Sequence, residues 1–420
     1  MFIKLLLGGA GFYRYLCGME KRLERVQAPF GAVMYVMAKP VGSACNMRCK
    51  YCYYLEKGNP GERRLMSDDT LEEFIKQYIQ AQTVPDVCFT WHGGEAMMRP
   101  VTFYQRAMEL QKRYGAGRNI LNCLQTNGTL INEQWCRFLK ANGWLVGVSI
   151  DGPRDFHDEF RRSATGKPTF DSVMRGIRML QRHGVEWNAM AVINDFNVDY
   201  PVEFYRFFRD IGCRYIQFTP IVERRRADGR LASVEEDGEL TAESIDPERW
   251  GHFLCTLFDE WVRQDVGSIY VQLFDATLAR WLDKDPGVCS MATFCGHAGV
   301  MEHNGDVYSC DHFVFDEYKL GNIHRQTIAE MMIDQAQLMF GANKRGSLPR
   351  QCLECHYTMI CNGECPKNRF AVTADGEPGL NYLCEGYRAY FDHVAPYMDF
   401  MAREYREGRA PANVMTQFRR

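Results

Sequence analysis

The chain has no run of the about twenty consecutive apolar residues that a membrane-crossing helix needs, and no long block of like charge. A net charge of −3 supplies no basic footprint for nucleic acid, so neither nucleic acid nor membrane is an expected partner. Near the start, Lys4 precedes Leu5-Leu6-Leu7, but the apolar stretch is short and Arg14 interrupts its continuation. No small-residue cleavage site stands out before Met19-Glu20-Lys21, and residues 1–18 read as an appendage, such as an upstream start. With 420 residues and 46% apolar composition, the chain is long enough for one large domain and a smaller one.

Cysteine, by contrast, is abundant, with 17 residues in clustered spacings that favour metal binding in a reducing compartment over disulfides. Cytoplasm is the expected location. Cys45, Cys49 and Cys52 form CxxxCxxC, and the next cysteine is distant, at Cys88. Iron–sulfur clusters ordinarily take four thiolates, so three close ligands without a fourth suggest one iron left open. A zinc site or a dithiol pair is the alternative. Zinc sites usually pair CxxC knuckles or add histidines, dithiols need two cysteines, and neither explains the aromatic pair Tyr53-Tyr54. The motif resembles that of the radical S-adenosylmethionine enzymes, whose CxxxCxxC and following aromatic residue hold a [4Fe-4S] cluster. The resemblance implies that the methionine amino and carboxylate groups occupy the open iron.

Between about residues 32 and 222, short apolar runs alternate with helical patterns. The spacing predicts strands over 33–37, 87–91, 120–125, 145–150, 187–193 and 215–218. The helix after Ser67 shows the signals: Ser67 can cap it, Asp68 and Asp69 suit its positive end, and Leu71, Phe74, Ile75, Tyr78 and Ile79 form one stripe. Such alternation implies an α/β fold of parallel strands with helices outside, which barrels and open doubly wound sheets share. The resemblance selects a partial (β/α)6 TIM-like barrel followed by a cysteine-rich cluster domain. In parallel barrels functional groups gather after the strand C-termini, where the cysteine motif falls.

The same edge collects other polar positions. Trp91-His92-Gly93-Gly94-Glu95 comes after the second strand, where glycines allow close backbone approach and Glu95 can accept from an ammonium. Turn formation alone also accounts for a glycine pair. Related enzymes bind the methionine amino group with Gly-Gly-Glu-Pro, and Ala96 replaces that proline here. Gln125-Thr126-Asn127-Gly128 and Ser149-Ile150-Asp151-Gly152-Pro153 come after the third and fourth strands. The resemblance implies that Ser149 and Arg161 contact the methionine carboxylate or ribose, and that Asn127 and Asp151 line the cofactor edge. It also places Ile221 against adenine and adds Tyr51 and His92 to the cofactor-binding set. Turns and helix caps are the plainer reading of Asn and Asp at such positions.

Residues 223–248 shift to an acidic, apolar-poor stretch opening with Arg224-Arg225-Arg226, which reads as a surface connection with the basic triplet in solvent. A helix is predicted from about 247 to 264. Cysteines then recur as Cys289, Cys295 and Cys310, then Cys352, Cys355, Cys361 and Cys365, and finally Cys384. Eight thiols make two sets of four, suited to two structural zincs or two iron–sulfur clusters, and spacing alone does not fix their pairing. This region, with Cys-Asn-Gly-Glu-Cys-Pro at 361–366, resembles the twin-cluster SPASM domain of anaerobic sulfatase-maturating enzymes. That resemblance groups Cys289, Cys295, Cys310 and Cys365 on one [4Fe-4S] cluster and Cys352, Cys355, Cys361 and Cys384 on another, three clusters in all. Cys17, Cys88, Cys123, Cys136, Cys213 and Cys255 read as packing residues.

The expected organisation is an extension over 1–30, a barrel over 31–230, a connection over 231–285, the cluster domain over 286–390 and a helix and tail over 391–420. Asp311, directly after Cys310, is the base that the resemblance implies, with Tyr54 near it and His312 structural. The implied reaction is oxidation of Cys or Ser in a sulfatase precursor to Cα-formylglycine. A 5′-deoxyadenosyl radical would take a β-hydrogen, Asp311 the thiol or hydroxyl proton, and an auxiliary cluster the remaining electron. The implied substrate is an unfolded peptide carrying Cys/Ser-x-Pro/Ala-x-Arg, and the implied reductant a flavodoxin- or ferredoxin-type donor. Another SPASM peptide maturase, forming thioether or carbon–carbon crosslinks, or a non-catalytic multi-cluster electron carrier, are the alternatives.

Overall fold

Each predicted strand run becomes a strand, and each capped amphipathic segment between them becomes a helix laid on the outside. The computed structural model describes residues 34–57 and 65–418. The strands are β1 (Tyr35–Ala38), β2 (Asp86–Trp91), β3 (Asn119–Thr126), β4 (Leu145–Ser149), β5 (Glu186–Ile193) and β6 (Tyr215–Pro220). They pair in that order, all parallel, as the wall of a partial barrel. The extension expected over 1–30, Cys17 and the expected start of the first strand at Val33 lie outside the described residues.

Helix α1 (Asp68–Ala81) shows how the sequence specifies the wall. The Ser67 hydroxyl accepts from the Thr70 amide, satisfying one of the free donors of the first turn. Its buried stripe includes Leu71, Phe74, Ile75 and Tyr78, and Phe74 meets Phe89 and Trp91 of β2 edge to face. Side chains alternate across a strand. With Phe89 and Trp91 turned to the helices, Cys88 and Thr90 face the interior, where the Cys88 and Cys123 sulfurs approach to 3.7 Å.

The sheet extends beyond these six strands. A short hairpin, β7 (Arg224–Arg225) with β8 (Glu239–Leu240), comes after β6, and β9 (Tyr270–Val271) pairs parallel with β6. From the cysteine-rich region, β10 (Ala298–Met301) adds parallel to β1, and β11 (Asp306–Tyr308) and β12 (Lys319–Asn322) continue antiparallel. Arg224 departs from the expected solvent position. Its guanidinium donates to the carbonyls of Ser233, Val234 and Glu236 and lies 4.4 Å from the Phe370 ring, because the hairpin folds back and offers three free carbonyls.

Helix α2 (Pro247–Gln264) packs along the long α3 (Cys384–Arg406), which begins at a cysteine of the second set. A methyl group on Gly386 would stand 2.2 Å from the Pro247 carbonyl oxygen, so glycine permits the close crossing that fixes Cys384. No helix among the described residues is long and apolar enough to cross a membrane.

Candidate active site

The loop after β1 carries Cys45, Cys49 and Cys52, and backbone hydrogen bonds hold it on two sides. Gly94 and Glu95 donate their amides to the carbonyls of Gly42 (2.7 Å) and Ala44 (2.9 Å). Opposite, Arg48 donates to the Arg162 carbonyl (2.8 Å) and Lys50 to that of Phe160 (3.0 Å). A Cβ on Gly94 would lie 2.0 Å from the Ala44 oxygen, and Gly93 sits at φ +129°, so this pair is required by contact as well as by turn geometry. Cys45 Sγ accepts from the Met47 amide at 3.3 Å and from Asn127 Nδ2 at 3.7 Å. Burial and the Glu95 charge push the Cys45 thiol up to about 12, and burial lifts Cys49 to about 11 against the Arg161 charge.

Glu95 lies against this loop at 1% exposure. Its Oε1 accepts from Thr126 Oγ1 (2.8 Å) and the Met97 amide (2.9 Å), its Oε2 from the Asn127 amide (2.7 Å). Burial still raises its carboxyl above the usual range despite those donors. Tyr51, within the cysteine motif, donates to Asp151 Oδ2 (2.5 Å) and accepts from Arg161 Nη1 (2.8 Å). Asp151 Oδ1 accepts the Val192 amide at 3.0 Å. Arg161 is backed by a buried relay in which its carbonyl accepts from Thr169 Oγ1 (2.6 Å), itself 3.1 Å from His157 Nε2. Ser149 accepts from Gln125 Nε2 at 3.0 Å, and Ile221 is buried just past β6.

The interior above these strands retains unused polar capacity. Gln125 Oε1, both polar atoms of the Asn188 side chain and Arg161 Nε are buried without a hydrogen-bond partner among the described residues. Buried polar groups are rarely left so. Together with three thiols, a carboxylate and a guanidinium, they fit a four-iron cluster and a polar, zwitterionic ligand at this edge.

Asp311 faces the loop from the cysteine-rich region. Its Oδ2 accepts from Tyr53 at 2.7 Å, and its Oδ1 is ion-paired with Lys39, which is fully buried. Burial works against the Asp311 charge, but the Lys39 ammonium, His92 and His312 overcome it and hold the carboxyl well below its usual range. The hydroxyl that reaches Asp311 is Tyr53's. Tyr54 donates to Glu302 instead and presents its ring 3.6 Å from Lys39 Nζ. His92 accepts the Gly93 amide on Nδ1 (2.8 Å), and burial with the Lys39 charge lowers it to about 4. His312 stacks on Tyr53 with ring centres 5.4 Å apart. Tyr53, His312, Lys57, Glu223, Phe315 and Lys367 line a small adjoining pocket. Lys39 and Glu302 carried no motif, although a lysine at the end of the first strand, on the edge where barrels place chemistry, is the signal that could have found Lys39.

The auxiliary cysteines gather in two groups. The thiols of Cys289, Cys295, Cys310 and Cys365 stand near enough for each to resist the ionisation of others in the set. Cys352, Cys355, Cys361 and Cys384 do the same. Among the described residues no three His, Cys, Asp or Glu side chains converge as they would on a single metal ion.

Residues 40–208 match the radical SAM superfamily and residues 295–356 an iron–sulfur cluster-binding domain of the SPASM type. The chain is 62% identical to a serine-type anaerobic sulfatase-maturating enzyme of Bacteroides thetaiotaomicron, over 92% of this chain and 96% of that protein. The chain belongs to the anaerobic sulfatase-maturating enzymes. A cysteine-type member from Clostridium perfringens is 30% identical over 86% of this chain and 96% of its own length. The fold superposes on native anSMEcpe with bound AdoMet and Cp18Cys peptide at a TM-score of 0.79, with 30% identity over 88% of this chain and 99% of that one. Among sulfatase-maturating enzymes this chain thus carries both halves of the architecture, barrel and cluster domain.

Proposed function

We propose that this enzyme oxidises a serine or cysteine of a sulfatase precursor to Cα-formylglycine, with serine the preferred residue. The observation that carries the reading is the placement of the Asp311 carboxylate 2.7 Å from the hydroxyl of Tyr53, which follows Cys52 in the cysteine loop. The preference for serine is supported by the 62% identity to a relative named for that residue.

Cys45, Cys49 and Cys52 would hold a [4Fe-4S] cluster, and Cys289, Cys295, Cys310 and Cys365, then Cys352, Cys355, Cys361 and Cys384, two more. At the first site such a cluster, with S-adenosylmethionine, would supply the one-electron chemistry that removes a hydrogen atom from the substrate β-carbon. Glu95 and Asn127 hold the loop that positions the cofactor's amino group. Arg161, braced by Tyr51 and Asp151, presents its charge to a carboxylate, with Ser149 and Gln125 beside it. His92, Gly93 and Gly94 keep that loop closed, and Ile221 offers an apolar surface to adenine.

Asp311 receives the substrate hydroxyl or thiol proton. Lys39 keeps it ionised and therefore able to accept, while making it a weak base. A hydroxyl next to a carbon radical is far more acidic than an ordinary alcohol, which suits so weak an acceptor. Tyr53 fixes the orientation of the carboxylate.

The peptide is the unfolded Cys/Ser-x-Pro/Ala-x-Arg segment, entering between the barrel and the cluster domain, and a flavodoxin- or ferredoxin-type protein supplies electrons in the cytoplasm. The barrel over 31–230 and the cluster domain over 286–390 are joined by the connection at 231–285, with the tail from 391. Anaerobic incubation of iron-loaded protein with S-adenosylmethionine, reductant and a serine peptide carrying that segment, read by mass spectrometry, tests the reading. Aldehyde in the product supports it, and a crosslinked or unchanged peptide refutes it.

A further inference from the structure

Two buried cations stand beside the auxiliary cysteines with no carboxylate in ion-pair contact among the described residues. Lys344, on the helix Gln335–Gly346, is 0% exposed and gives its ammonium to the carbonyls of Cys289 (2.5 Å) and Ser290 (2.7 Å). Arg369 is 7% exposed. Its guanidinium donates to the carbonyls of Gly363 (2.8 Å), Lys344 (2.5 Å), Asn362 (2.7 Å) and Glu364 (3.1 Å). Residues 362–364 are the link between Cys361 of one set and Cys365 of the other. They adopt φ of 49°, 70° and 55° in succession, a left-handed run that non-glycine residues seldom enter, and Arg369 gathers its carbonyls.

Buried charges are expensive unless paired. All six of these hydrogen-bond partners are neutral carbonyls, so the compensating charge must come from elsewhere, and Cys289, Cys361 and Cys365 lie on or next to the segments that supply five of them. Lys344 is bonded to the backbone of Cys289, in the first set, and Arg369 to residues 362–364, which run from Cys361 of the second set to Cys365 of the first. The first set therefore feels both cations and the second feels Arg369. Glu364, whose Oε2 accepts from Asn368 (3.2 Å) and Asn381 (2.9 Å), is the opposing anion nearby.

We propose that Lys344 and Arg369 raise the reduction potential of a cluster held by Cys289, Cys295, Cys310 and Cys365, favouring its reduced form. Both residues act through the cluster and touch no substrate. The inference rests on the function proposed above, in which the side chain loses two hydrogens. One leaves as an atom, carrying one electron, to the radical; the other leaves as a proton to Asp311; the second electron reduces the auxiliary cluster by one. A reduced thiolate cluster carries one more negative charge, and fixed positive charge near its sulfurs favours that form.

The test is a redox titration of the full-length, iron-loaded protein under anaerobic conditions, read by electron paramagnetic resonance without peptide. In Lys344→Gln the reduced-to-oxidised ratio of one auxiliary signal, at the wild-type midpoint, falls about tenfold, about 59 mV for one electron. Glu364→Gln moves the same signal the opposite way, while the signal of the first cluster stays in place in both. An unmoved midpoint in a Lys344→Gln protein with full iron overturns the inference. If Lys344→Gln does not take up iron, Glu364→Gln decides, and an unmoved or lowered midpoint there overturns it equally. Because no peptide is present, failure here with normal peptide oxidation removes the tuning role alone, whereas failure of wild-type peptide oxidation removes the function itself.

Discussion

Tyr53 gives its hydroxyl to Asp311 at 2.7 Å across 258 residues of chain, tying the cysteine loop of the barrel to the residue directly after Cys310. That contact joins the loop proposed to hold the open cluster to the carboxylate proposed to take a proton. Asp311→Asn keeps the shape and the Tyr53 contact but removes the base. It should lower formylglycine formation by about 10²–10⁴-fold while 5′-deoxyadenosine still forms, measured in one reaction by mass spectrometry and chromatography. Full aldehyde yield from this variant would show that another group takes the proton.

Lys39 is buried against Asp311 and Tyr54. Lys39→Met leaves a half-buried carboxylate without its ion-pair partner and should cost about 1–3 kcal/mol, measured by denaturant unfolding. Adding Asp311→Asn removes the orphaned charge, so the double variant should regain most of that loss. Equal stability of the single and double variants would show that the pair is not coupled.

Gly94 has no room for a side chain, since its added methyl would meet the Ala44 carbonyl oxygen at 2.0 Å. Gly94→Ala must push the cysteine loop outward and should lower S-adenosylmethionine cleavage by about 10²-fold. Gly346→Ala meets nothing within 4 Å and serves as the control. Iron content and 5′-deoxyadenosine formation are the measurements, and a normal rate in Gly94→Ala would contradict the packing argument.

Asp275 offers a pH test away from every proposed iron ligand. It sits near Tyr215 and Tyr390, burial alone raises its carboxyl well above the usual range, and Oδ2 has no partner among the described residues. A carboxyl whose folded-state affinity for protons is raised contributes stability at low pH and loses it as pH rises through the folded-state value. Asp275→Asn should therefore melt higher than wild type at about pH 8, with the gap shrinking toward about pH 4. A gap that grows on acidification would reverse the sign and refute the assignment.

Periodicity reached the barrel because each of its strands is short, apolar and succeeded by a helix with its own cap. The boundaries expected at 187–193 and 215–218 differ from Glu186–Ile193 and Tyr215–Pro220 by at most two residues. The pairing of β1 with β10 was not legible, because Tyr35 and Ala298 meet across most of the chain and no local pattern encodes that register. Tyr53 and Tyr54 are adjacent aromatics that sequence cannot tell apart; their 3-10 turn sends one hydroxyl to Asp311 and the other to Glu302. Lys39, Lys344 and Arg369 belong to no motif in the sequence, and it is their burial that marks them.

The most direct measurement is Mössbauer and electron paramagnetic resonance spectroscopy of oxygen-free protein, before and after S-adenosylmethionine is added, in wild type and in a Cys45→Ala, Cys49→Ala, Cys52→Ala variant. The account predicts a four-iron signal that changes on adding S-adenosylmethionine and vanishes with those three cysteines. Zinc at that position, or four-iron signals none of which responds to S-adenosylmethionine, would contradict it.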